Sequence, residues 1–139
     1  MRRYPLPLFA FALALALASE PAAAPAAPAS DRPAPSAFAG EAPVTPADVP
    51  AALAALTELN SPNPDISRLL EIARLNGVTL RRLEFLTIKF VNGALLLKPG
   101  GVSRQEMLEH SSDPLTLPDD AELEVIRGAL DEILAIGGR

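Results

Sequence analysis

The sequence predicts an all-α protein, a small antiparallel bundle of four to five helices behind a disordered N-terminal segment. Three observations predict it. Beyond Thr45, apolar residues recur at intervals of three and four, the spacing that lines one face of a helix. Clusters of Pro, Gly and Asn separate those runs at short distances. The residues before them are too rich in proline and too poor in bulky apolar groups to build a core.

At 139 residues the chain has room for one compact domain. Three segments divide it: a signal peptide over 1–18, a disordered Pro/Ala-rich linker over 19–45, and a helical domain over 46–139. Arg2 and Arg3 make a positive start, Leu8 to Ala18 is an unbroken apolar run, and Ala16-Leu17-Ala18 supplies a small-x-small cleavage site. The run falls short of the roughly 20 apolar residues that cross a bilayer. Membrane contact is therefore expected only through the uncleaved signal peptide, and the mature chain is expected in the periplasm or secreted. From Ser19 to Pro50 the chain holds 8 prolines and 11 alanines in 32 residues, with Phe38, Val44 and Val49 as the larger apolar groups. Proline fixes φ and removes amide donors, so this stretch favours an extended spacer over helix or sheet.

The helical elements follow in order. Thr45-Pro46 has the form of a cap and first helical residue, and Leu53, Leu56 and Leu59 recur along Ala51 to Leu59 before Asn60-Ser61-Pro62-Asn63-Pro64 ends the run. Asn63-Pro64 repeats the start signal, Ile66, Leu69, Leu70 and Ala73 share a face, and Asn76-Gly77 provides a left-handed stop. Thr79 then caps Leu80 to about Leu97. On a helical wheel Leu80, Leu83, Leu86, Phe90, Val91, Ala94 and Leu97 fill one arc, while Arg81, Arg82, Lys89 and Asn92 take the other side. Asn92-Gly93 between apolar runs is also a hairpin signal, so a helix and a hairpin compete here; the segregation of charge favours the helix. Ser103 to Glu106 has capping-box spacing for a short helix reaching about His110. Asp119 and Asp120 open a last helix whose stripe of Leu123, Ile126, Leu130 and Ile133 stops at Gly137-Gly138.

The stretch from Leu69 to Leu83, with Ile72-Ala73, the turn Gly77 and Val78-Thr79, resembles the helix-turn-helix phrase and is similar to the helical half of a LysM glycan-binding module. The resemblance covers about fifteen residues of common types and implies a close helical corner. It departs from a DNA reader in charge and from LysM in lacking recognisable flanking strands, so no family follows from it.

Composition narrows function by exclusion. With no cysteine, disulfides, thiolate metal sites and thiol nucleophiles are excluded. The formal charge of −5 becomes −7 once Arg2 and Arg3 leave with the signal peptide, and no basic patch remains to neutralise phosphates; nucleic acid is not an expected partner. His110 is the single histidine, with Glu106, Glu109 and Asp113 nearby, but one imidazole makes neither a metal site nor an acid/base pair. Asp119, Asp120, Glu122 and Glu124 lack the spacing of a calcium loop and read as helix-start charges. No catalytic, cofactor or metal residues are assigned, and the chain is not expected to be an enzyme. The function expected is that of an exported interaction module for a protein partner not identifiable from sequence, with Phe85, Ile88, Leu95 and Leu96 as its apolar interaction surface. The alternative is a carrier of an apolar small molecule or lipid in the bundle interior.

Overall fold

A computed structural model describes residues 36–111 and 113–138; the expected signal peptide and the linker up to residue 35 lie outside them. The described residues are all-α, with six α-helices and no strand: α1 Val49–Leu59, α2 Ile66–Leu75, α3 Leu80–Leu97, α4 Arg104–His110, α5 Asp120–Arg127 and α6 Leu130–Gly137. Short 3-10 turns at Pro46–Asp48 and Pro114–Thr116 complete the order.

Local chemistry sets most of the boundaries. Asp65, one residue beyond the expected Asn63-Pro64 signal, caps α2 by accepting the Ser67 amide at 2.9 Å. At its other end Gly77, with φ of 66°, adopts the left-handed conformation expected of it. The Val78 amide then reaches back to the Ala73 carbonyl and Gly77 to Arg74, which satisfies two orphan carbonyls. Gly77→Ala is expected to cost about 1–2 kcal/mol in urea titration, because a Cβ is strained at that φ although nothing crowds it. Thr79 and Ser103 cap α3 and α4 through the amides of Arg82 and Glu106.

Helix or hairpin at Asn92-Gly93 resolves as one unbroken helix. Gly93 makes no turn; it is where α5 crosses α3, and a Cβ there would lie 2.6 Å from Ile126 Cδ1. The chain uses glycine here for close approach, and the hairpin signal is a coincidence of residue type.

The six helices exceed the four to five expected, because the single final helix divides in two at Gly128 and Ala129. Glycine is a poor helix residue, and Ala129 leaves helical geometry with φ of −113° and ψ of 8°. The break leaves Ile126, Ala129, Ile133 and Ile136 all buried in the core.

α3 is the hub. It packs on α1, α2, α5, α6 and the Pro114–Thr116 turn, and twelve of its eighteen residues are buried. Leu83, Leu86 and Phe90 form its fully buried spine. Ala51, Ala52 and Ala55 of α1 are buried, small side chains that permit close contact where the two helices pack. A helix apolar on one arc and charged on the other is expected to show the charged arc to water. On α3 only Arg81 of that arc is exposed, while Arg82, Lys89 and Asn92 are covered, and that departure builds the site described next.

On the solvent side of α2, a bidentate hydrogen bond from Arg74 holds the Glu71 carboxyl below its ordinary range. Both groups are exposed, so water screens the pair and it adds little to stability.

Candidate functional site

Arg82, Phe85 and Lys89 stand at i, i+3 and i+7 on α3 and therefore share one side of the helix. The chain covers that side with its own residues. Ser36 to Asp48 crosses it as a strap, and the N-terminus of α5 closes it from the other direction.

The strap is held chiefly by side chains reaching up from the bundle. Arg82 donates to the carbonyls of Ala42 and Pro43 and to Asp48 Oδ2 at 2.9 Å, with Glu41 at 3.6 Å completing its ion pairs. A guanidinium with five donors in a fixed fork suits that task, since it meets two backbone oxygens and a carboxylate at once. Ser36 Oγ bonds Asp113 Oδ2 at 2.5 Å, and the Phe38 ring lies 5.4 Å from that of Phe85 at a 45° tilt. Val44, the strap's second apolar anchor, enters the main core.

Beneath the strap lies a buried ion pair. Lys89 Nζ is 2.6 Å from Glu122 Oε1, and the two side chains are only 7% and 3% exposed. Such a pair survives only where the surroundings satisfy its remaining polar capacity. Here they do. Lys89 also donates to the Leu117 carbonyl at 3.2 Å and sits 5.1 Å from the centre of the Phe85 ring. Glu122 accepts from the Asp119 amide at 3.1 Å through Oε1 and from the Val44 amide at 2.8 Å through Oε2. Asp119 in turn accepts the Glu122 amide at 2.8 Å, so one carboxylate closes a capping box, neutralises a lysine and fastens the strap.

Beside this pair a cleft of about 230 Å³ is lined by strap residues Phe38, Gly40, Glu41 and Pro43 and by Phe85, Lys89, Leu115, Asp119 and Glu122. It falls below the roughly 300–1,000 Å³ of pockets that enclose drug-sized ligands, and it suits a single side chain better. Lys89 and Glu122 are paired with one another, and the arrangement positions chain segments.

Of the four residues expected to form an apolar interaction surface, Phe85 and Leu95 are buried, whereas Ile88 and Leu96 are half-buried. Phe85 faces Phe38 of the same chain, Leu95 and Leu96 pack in and against the core, and the four do not meet as one open face. His110 is exposed at the last residue of α4. Among the described residues no group of three or more His, Cys, Asp or Glu is placed to hold a metal ion, and no helix is long and apolar enough to cross a membrane.

Sequence reasoning missed Lys89, Glu122 and the strap. A signal existed for each. Lys89 is the one charge between Phe85 and Leu97, Asp119 and Glu122 have capping-box spacing, and Phe38 and Val44 are the bulky apolar residues in an alanine-rich stretch. Comparison with protein families, with curated proteins and with solved structures gives no match to this chain.

Proposed function

We propose that the chain is an exported helical interaction module, working in the periplasm or outside the cell, with short loops running neighbouring helices antiparallel. Its contact for a protein partner is the outer edge of α2. What supports this reading is the exposure of Ile66 and Leu70, 46% and 50%, one turn apart on the same side of that helix. Their neighbours Leu69 and Ala73 are buried, so the apolar stripe of α2 is wider than the bundle needs. Apolar surface that the fold leaves uncovered is a common feature of protein-binding sites.

The experiment places a photo-crosslinking amino acid at Leu70 in the full chain produced in its own host. A discrete adduct is expected, and Ile66→Ser should abolish it while leaving stability within about 0.5 kcal/mol, as for other exposed substitutions. An adduct pattern no different from that of a label at exposed Ser67 would remove this reading. N-terminal sequencing of the same material tests the export step, which requires a chain beginning at Ser19.

A further inference from the structure

Independently of α2, the strap has the attributes of a bound ligand. Before Pro46 it has neither helix nor strand, and side chains of the bundle meet its backbone: Arg82 at two carbonyls and Glu122 at an amide. Recognition of backbone groups tolerates many sequences and leaves specificity to anchor side chains. The strap has two, Phe38 and Val44, 6% and 5% exposed. Val44 belongs to the main core, but Phe38 and Phe85 form a pair outside it. The Phe38 end can therefore leave without opening the bundle. Nor does it fill its seat. The cleft of about 230 Å³ stays open beside Phe38 and Gly40.

We infer that the side of α3 bearing Arg82, Phe85 and Lys89 is a docking groove for a partner-protein segment that makes a tight turn, as residues 37–40 do, and that Ser36–Pro43 is its built-in cover. The cover itself defines the occupant. The partner segment brings an aromatic side chain to lie against Phe85 and, four and five residues later, two consecutive free carbonyls for Arg82. Binding then competes with an intramolecular ligand, which sets a threshold that weak partners do not pass.

A fluorescent synthetic peptide of residues 36–48 serves as the probe, titrated into the full chain and followed by anisotropy. The Phe38→Ala chain, its own cover weakened, is expected to bind the peptide about tenfold more tightly than the wild type. Adding Phe85→Ala should remove the binding while circular dichroism shows the helices intact. Absence of saturable binding to the Phe38→Ala chain overturns the inference, as does binding that survives Phe85→Ala. A concentration-dependent dimer of the wild type would also overturn it, giving the groove to a second copy. Should Phe38→Ala fail to fold, hydrogen exchange on the wild type decides: amides of residues 38–43 must exchange well ahead of those in α3, and equal protection of both refutes a removable cover.

Discussion

Glu122→Ala is expected to lower the unfolding free energy by about 3–5 kcal/mol, the range for breaking a buried pair from one side. The size follows from what the substitution strands. Lys89, 7% exposed, would be left with the Leu117 carbonyl and the Phe85 ring as its remaining partners. The amides of Val44 and Asp119 would lose their acceptor as well. Glu122→Gln retains an amide oxygen for one of them and should cost less. Urea titration measures both, and a cycle with Lys89→Met isolates the pair itself. The exposed pair of Arg127 and Glu124, at 3.4 Å, gives the comparison: Glu124→Ala should change stability by less than about 1 kcal/mol. Equal effects for the two carboxylates would mean that Glu122 is not the fastening described above. Added salt offers a second criterion, since a pair this deeply covered is screened far less than a surface one.

Gly93→Val should be nearly as damaging, at about 3 kcal/mol, the upper part of the usual range for overpacking. A Cβ at position 93 would stand 2.6 Å from Ile126 Cδ1, 2.9 Å from its Cγ2 and 3.3 Å from its Cβ. Ile126 is fully buried. Gly93→Ala meets the same wall, but gains about 1 kcal/mol of helix propensity and so loses less overall. Ile126→Val removes the nearest of those atoms and is expected to recover part of the Gly93→Ala loss. Thermal unfolding of the two single variants and the double variant settles the matter. Simple additivity would show that α3 and α5 do not meet at this point.

The same two sites mark the boundary between what could be read in the sequence and what could not. Caps and stops are local, and Thr79, Ser103, Gly77 and Asp119 all act within a few residues of themselves, where spacing alone exposes them. The division at Gly128 and Ala129 is less legible, because a lone glycine inside a periodic pattern is compatible with a continuous helix. Gly93 carried two meanings, turn and close contact, and the residue that decides between them is Ile126 on another helix. The charged arc of α3 suffered the same ambiguity. Periodicity separates arcs of a helix but cannot say whether the polar one faces water or another part of the chain. The candidate site was hidden for this reason: Val44 meets Glu122 across 78 residues and Ser36 meets Asp113 across 77, and no local pattern encodes either encounter. The proline that marked residues 19–45 as a spacer is equally compatible with a segment that turns once and then lies against its neighbours, as residues 36–45 do.

Those long separations also set an order of events. A ribosome delivers residue 44 well before residue 122, so the strap emerges while the carboxylate that is to receive its amide does not yet exist. Contacts of such span form late in any case, since a large loop must close before they repay its entropy. Until then Lys89 has no carboxylate opposite it, and the strap has Arg82 and Phe85, but not Glu122, to hold it.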